Sequence, residues 1–234
     1  SRRHGNERFP LALYRMQTAS GETVLDSHWH EEAEFLVVLE GETLFQIGSR
    51  FYPLQQGEAI FIHSGEVHAG FARGGAGCQY CAVVFDMNWL RSGSFDLLQE
   101  QFMQPLIEGR RSLPAHITGR SPWGKKVLRE LNQIVDLLAR RPPGFPLAVK
   151  SRFYAILAEI AGENRWVRRH MDDDRQNYDL ERLKQVLVYI EHHYDQKIGL
   201  PQLAQIAHMS EGHFCRFFKA MTRKTSIQYI NSYR

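Results

Sequence analysis

No apolar run in this sequence approaches the roughly 18 residues that a membrane-spanning helix requires. The first residues, Ser1-Arg2-Arg3-His4-Gly5-Asn6, are polar and have no signal-type apolar core behind them. Both absences predict a soluble, cytoplasmic protein with no membrane partner. Cysteine is scarce, three in 234 residues, which fits that compartment. Cys78 and Cys81 form a CxxC, but they fall in Cys78-Gln79-Tyr80-Cys81-Ala82-Val83-Val84-Phe85, which reads as a strand. Residues i and i+3 on a strand point to opposite faces, so the pair reads as structural thiols. Charge of one sign is also lacking. Lys and Arg number 29 against 26 Asp and Glu, a net of +3, which permits nucleic acid as a partner without arguing for it. No long-period repeat and no low-complexity tract is present. With 43% hydrophobic and 24% charged residues, a mostly disordered, collagen-like or coiled-coil protein is excluded.

What is present changes character twice. Residues 9 to about 86 read as β: short stretches such as Phe35 to Leu39, Thr43 to Ile47, Ala59 to Ile62 and Ala82 to Phe85 alternate with turns at Gly41, Gly48, Gly57, Gly65 and Gly74-Gly75. Evenly spaced short strands without intervening helices predict an antiparallel sandwich or barrel. From about residue 95 the period becomes helical. Val127, Leu131, Ile134 and Leu138 form one stripe. Pro142-Pro143-Gly144-Phe145-Pro146 breaks the chain, and Val149, Phe153, Ile156 and Ile160 form a second stripe. These two helices, at 124–141 and 147–162, are expected both to cap the β-domain and to offer a dimer seam. The mixed-charge stretch 163–179 reads as an inter-domain linker. Leu180, Leu183, Leu187, Ile190 and Tyr194 then open a small helical unit that runs to Arg234. The expected domains are therefore 1–94, 95–162, the linker 163–179, and 180–234.

The β-domain contains His28-Trp29-His30-Glu31-Glu32-Ala33-Glu34. Extended backbone at 28–30 projects His28 and His30 from one face. Glu34 converges with them across a turn or bulge, and His68 arrives after the strand 59–62 and a turn at Gly65. Three imidazoles and one carboxylate suit a divalent transition metal (Zn, Ni, Mn, Fe or Co) with positions open to water or substrate. The pattern HxHxxxExxxxxxG runs from His28 through Glu34 to Gly41, and GxxxxxPxGxxHxxxN is met at Gly57, Gly65 and His68, with His63 replacing the proline and Ala72 the asparagine. This resembles the two motif halves of the cupin family, a double-stranded β-helix barrel. The resemblance implies that His28, His30, Glu34 and His68 bind a metal at the barrel centre. In regulators such a pocket can instead take a small-molecule effector without metal, or the same residues can be satisfied core polar groups.

The last unit carries a helix, then Leu200-Pro201-Gln202-Leu203-Ala204-Gln205-Ile206-Ala207, an interruption at His208-Met209-Ser210, and a second helix from Glu211. Ser210 suits an N-cap, and Glu211 suits the positive helix end. Leu203, Ile206 and Ala207 can pack on Phe214, Phe217 and Phe218, with the small Ala204 allowing a close crossing, which is helix-turn-helix geometry. From Leu200 onward five cations (Arg216, Lys219, Arg223, Lys224 and Arg234) face one acid, Glu211, a local basic excess of the kind duplex DNA requires. The exposed face offers Glu211, Gly212, Cys215, Arg216 and Lys219. Arg216 is the candidate for bidentate guanine recognition, while Lys219, Arg223 and Lys224 are candidates for phosphate. A surface ion pair with Glu211 is the alternative role for Arg216.

Leu203-Ala204, Met209-Ser210, Phe214, Arg216, Phe218-Lys219, Thr222, Tyr229-Ile230 and Tyr233-Arg234 resemble the first helix-turn-helix of the AraC family of transcription regulators. Arg223 and Ser226 stand where that pattern usually has glycine and proline. The order of barrel, two helices, linker and helix-turn-helix is similar to AraC-type regulators across nearly the whole chain. The resemblance implies a sequence-specific transcription regulator, not an enzyme. Its partners would be double-stranded DNA, a small-molecule or metal effector, a second copy in a homodimer, and RNA polymerase. The family's second helix-turn-helix is absent here and no initiator Met opens the chain, so a fragment is expected. The segment Phe9 to Arg15 is expected to close over the pocket as a lid. The alternatives are a metal-dependent cupin enzyme, an isomerase or oxygenase using His28, His30, Glu34 and His68, and a sensor whose effector is the metal itself.

Overall fold

The computed structural model describes residues 4–19, 23–74, 77–169 and 174–234, with only the backbone of 174–177. Ser1, Arg2, Arg3, Gly75 and the linker acids Asp172 and Asp173 lie outside the described residues.

Eight strands make the first half: β1 (Leu11–Thr18), β2 (Leu25–His28), β3 (Ala33–Glu40), β4 (Glu42–Ile47), β5 (Arg50–Gln55), β6 (Ala59–Ile62), β7 (His68–Ala72) and β8 (Cys78–Phe85). They form two antiparallel sheets. One has the order β1-β8-β3-β6 and is extended at its edge by β10 (His116–Ile117). The other has the order β2-β7-β4-β5. Turns at Gly41, Gly48 and Gly57 adopt positive φ, which glycine tolerates without steric cost.

β3 shows how the sequence builds this sandwich. Its run Phe35-Leu36-Val37-Val38 is buried on both faces, so it reads as continuously apolar rather than alternating. Leu36 and Val38 face the inter-sheet core with Phe45, Leu54, Ile60, Ile62 and Tyr80. Phe35 and Val37 face the other way, into a core shared with the helices. The same alternation puts Cys78 in the inter-sheet core and Cys81 in the outer one, so the CxxC straddles the strand as its spacing predicts. Burial raises both thiols above the ordinary range.

A short 3₁₀ turn (Met87–Leu90), a π-helical turn (Gln99–Met103) and α1 (Gln104–Ile107) lead to β9 (Arg111–Ser112). The helices α2 (Pro122–Arg140) and α3 (Phe145–Gly162) follow. Ser121 Oγ caps α2 by accepting from Gly124 N at 3.2 Å. Val127, Leu131, Ile134, Val149, Phe153, Ile156 and Ile160 are buried together against the barrel's larger sheet. The two helices thus cap the barrel, as their stripes predict.

The stretch read as a linker is in part regular. β11 (Val167–Arg168) pairs with β9, and α4 (Asp174–His193) starts within it. A run of mixed charge carries no helix breaker, so charge alone marked the boundary too late. α5 (Leu200–Ile206), α6 (Glu211–Thr222) and α7 (Ser226–Asn231) complete the chain. Leu183, Leu187, Leu203, Ala204, Ala207, Phe214, Phe218 and Tyr229 form their core.

Candidate metal centre and basic helical surface

Strand alternation assembles the first site. His28 ends β2, Glu34 lies on β3 and His68 opens β7, where it pairs with His28. His30 follows in the connection and stays buried. Ligand nitrogens of His28, His30 and His68 all lie within 4.8 Å of one another. Glu34 Oε2 stands 3.1 Å from His30 Nε2 and 3.5 Å from His68 Nε2. All four expected residues are therefore brought together at one end of the barrel.

The proton positions follow from the backbone. His28 Nδ1 meets Asp26 O at 2.8 Å, His30 Nδ1 meets Glu32 O at 3.0 Å, and His68 Nδ1 meets Glu66 O at 2.8 Å. A carbonyl only accepts, so each Nδ1 carries a proton and donates it. Each Nε2 is thereby left to point at the common centre. Rings fixed this way through the distal nitrogen are the support that metal-ligating histidines have. His68 Nε2 is buried and makes no hydrogen bond, which is costly for a polar atom.

The electrostatics agree. Burial opposes charge on Glu34, yet the hydrogen bond from His30 and the charge of the neighbouring imidazoles hold its carboxyl well below the usual range. Burial also opposes charge on His30, but the Glu34 carboxylate beside it raises its pKa. Burial and the neighbouring His68 depress His28 to about 3, so it is a neutral imidazole. The Glu34 carboxylate thus sits among three imidazoles with no fixed cation beside it. A divalent cation would compensate that carboxylate and satisfy the orphaned His68 Nε2, so the donor set fits a transition metal.

Sequence reasoning missed the carbonyls of Asp26, Glu32 and Glu66, because main-chain acceptors leave no residue signature. It also misplaced the lid. Leu11–Thr18 is paired along its length with β8, and Phe9 packs on Trp89 and Phe145 at ring distances of 5.4 and 5.3 Å. The residue at the site is instead His4, whose ring lies 5.1 Å from that of His30 and whose Nδ1 is 2.8 Å from Tyr14 Oη. His63, standing in place of the motif's proline, bonds Leu106 O through Nε2 at 3.0 Å and ties α1 to the barrel.

In the C-terminal unit, α5 and α6 meet across a tight turn whose His208 takes a left-handed φ of 51°. Ser210 occupies the N-cap of α6 but makes no side-chain cap bond. Phe214, Phe217 and Phe218 turn inward, while Glu211, Gly212, Cys215, Arg216 and Lys219 are exposed. Arg216, Lys219, Ala220 and Arg223 line a shallow surface groove. Arg216 makes no ion pair among the described residues, so the pairing with Glu211 is not formed. The expected phosphate candidates divide. Lys219 makes no ion pair among the described residues, while Arg223, itself exposed, stacks over the Phe51 ring at 5.0 Å and the half-buried Lys224 places Nζ 2.5 Å from Asp26. Arg234 donates to Tyr194 O and Gln196 O and is used internally.

Comparison with known proteins adds three findings. Residues 14–84 match the family model for the cupin domain, so the N-terminal sheets are a cupin domain followed by a helical region. Over 234 residues the chain is 27% identical to the uncharacterized HTH-type transcriptional regulator YdeC of Bacillus subtilis (strain 168), covering 99% of this chain and 78% of that one. Among solved structures it is similar to a predicted oxalate decarboxylase of Thermotoga maritima, with 29% identity, 32% of this chain, 64% of that one and a TM-score of 0.30. It is also similar to the DMSP lyase DddQ of Ruegeria pomeroyi, with 25% identity, 32% and 38% coverage and a TM-score of 0.30. The matched segment spans less than two thirds of either structure. No helix among the described residues is long and apolar enough to cross a membrane.

Proposed function

We propose that this chain is a DNA-binding transcription regulator of the AraC type, whose cupin barrel senses a metal or a small molecule held at the metal centre. The observation that carries the reading is the joining, in one chain, of a buried three-histidine, one-carboxylate cluster to a helical unit with an exposed cationic face. The 27% identity to an HTH-type regulator over nearly the whole chain supports it.

In this reading the domains are the sensor barrel (1–94), the capping and dimerisation segment (95–162), a connection (163–179), and the first helix-turn-helix unit (180–234). α6 enters the major groove, with Arg216 reading guanine and Lys219, Arg223 and Lys224 on phosphates. Glu211, Gly212 and Cys215 line the same face; the last two are poor hydrogen-bond readers and suit contact with thymine methyls. His28, His30, Glu34 and His68 would hold the ion, which supplies a cationic centre for an oxygen or nitrogen donor of the effector. The outer face of α2 and α3 would join two copies, adding avidity to duplex binding. Duplex DNA, a second copy and RNA polymerase are the partners, in the cytoplasm.

Retention of a labelled duplex at 50 mM salt by the full chain tests the reading. Binding that weakens in Arg216→Ala and Lys219→Ala supports it; no retention overturns it. Elemental analysis of protein purified without tag or chelator, beside His30→Ala, tests the sensor half. Near-stoichiometric metal lost in the variant supports a metal centre, and metal in neither leaves an organic effector pocket. The same cluster favours a second reading, a metal-dependent cupin enzyme, which duplex binding without turnover would exclude.

A further inference from the structure

The four-stranded sheet has two faces with different tasks. Its inner face carries His28 and His68. Its outer face is covered by the C-terminal unit. Val67, next to His68, is buried in the core of that unit, and Trp29, between His28 and His30, packs against the same core. Lys184 of α4 lies 5.0 Å from the Trp29 ring. Gln46 Nε2 donates to Met221 O at 3.4 Å, and the Tyr229 hydroxyl donates to Ser27 O. At 28–30 and 67–68, then, the histidines face the candidate metal centre while Trp29 and Val67 between and beside them face the helices.

Two of the contacts capture cations. Asp26 holds Lys224 and Phe51 of β5 holds Arg223. Asp26 does so while its carbonyl orients His28. Glu66 is built the same way: its carbonyl orients His68, and its carboxylate pairs with Arg169 at 3.0 Å. Asp26, which sets the His28 ring, thus also grips the C-terminal unit, and Glu66, which sets the His68 ring, grips the connection that leads to it.

We propose that the outer face of the barrel is a docking surface that holds the C-terminal unit in a DNA-weak state, by engaging Arg223 and Lys224 in place of duplex phosphates. This rests on the DNA-binding reading above. A phosphate backbone and the Asp26–Phe51 face compete for the same two cations, so docking and full duplex engagement exclude each other. Because the ligand rings are oriented by Asp26 and Glu66, anything that binds the inner face more tightly in one arrangement shifts this competition.

The test is the salt dependence of binding to a fluorescein-labelled 30-bp duplex of random sequence. The wild-type chain is compared with Asp26→Asn/Phe51→Ala, a pair that leaves the Asp26 carbonyl in place. Each phosphate contact adds about 0.9 to the slope of log affinity against log salt. The variant, regaining two contacts, is expected to show a slope steeper by about 1.8. It then loses about tenfold more affinity than wild type between 50 and 200 mM salt. Adding Arg223→Ala/Lys224→Ala to the variant is expected to restore the wild-type slope. Equal slopes and affinities for wild type and variant would overturn the docking surface while leaving DNA binding intact. A gain that survives removal of Arg223 and Lys224 would overturn their role. Failure of both proteins to bind at 50 mM would overturn the DNA-binding reading itself. Amide exchange across 222–231 keeps the result independent of DNA: faster exchange in the variant at unchanged melting behaviour is expected, and unchanged exchange contradicts release.

Discussion

The barrel and the C-terminal unit place their polar groups in opposite ways. The barrel places polar side chains inside: Glu34, His30 and His68 are almost fully buried. The C-terminal unit does the reverse, burying Phe214, Phe218 and Tyr229 and leaving Arg216 and Lys219 in solvent. Buried charge is costly unless compensated, so the barrel cluster is complete only with a proton or an ion among its donors. Exposed cations cost little and gain most from an extended anion. One region is thus built to enclose something small, the other to lie along something large.

The comparison can be broken in several places. The largest effect is expected from Phe218→Ala, which truncates a fully buried ring of the helical unit. A loss of about 3–5 kcal/mol, read by chemical denaturation, should unfold that unit while metal binding at the barrel persists. Joint loss of both would show that the barrel depends on its docked partner. Next is His68→Ala. Removing one of four donors should weaken metal affinity by more than the roughly 10–100-fold typical of supporting residues, as isothermal titration with Mn(II) or Zn(II) would report. Smaller is Arg216→Ala. It should cost about 1–3 kcal/mol of specific binding and relax preference at one base pair; a uniform loss across sequences would make Arg216 a phosphate contact instead. Smallest is Arg223→Gly. Arg223 ends α6 with a left-handed φ of 60°, a conformation that costs a non-glycine residue about 1 kcal/mol. The glycine variant should melt higher by that amount while binding duplex no better, since the cation is gone.

Much of this was legible in the sequence, and the limits have physical causes. The two-residue period put His28 and His30 on one side, and Glu34 and His68 converge with them as the donor chemistry required. The apolar stripes of α2 and α3 and the inward phenylalanines of α6 follow the 3.6-residue period. The paired segments at 111–112, 116–117 and 167–168 escaped notice because two residues have no period to read. The start of α4 was hidden by a run of charge that does not oppose a helix. Arg223, Lys224 and Arg234 were grouped by charge alone. Only the tertiary structure separates Arg216 and Lys219, which make no ion pair among the described residues, from the cations that contact the barrel or carbonyls. The lid expectation failed at Leu11–Thr18 because that segment satisfies its main chain along β8, which leaves the site to His4.

The most direct measurement is selection from a pool of randomised 25-bp duplexes by the full-length chain, run in parallel with Arg216→Ala. The account expects the wild type to enrich a short motif containing a strongly preferred guanine, and the variant to lose preference at that position. A wild-type pool that emerges without enrichment, unchanged by the loss of Arg216, would contradict it.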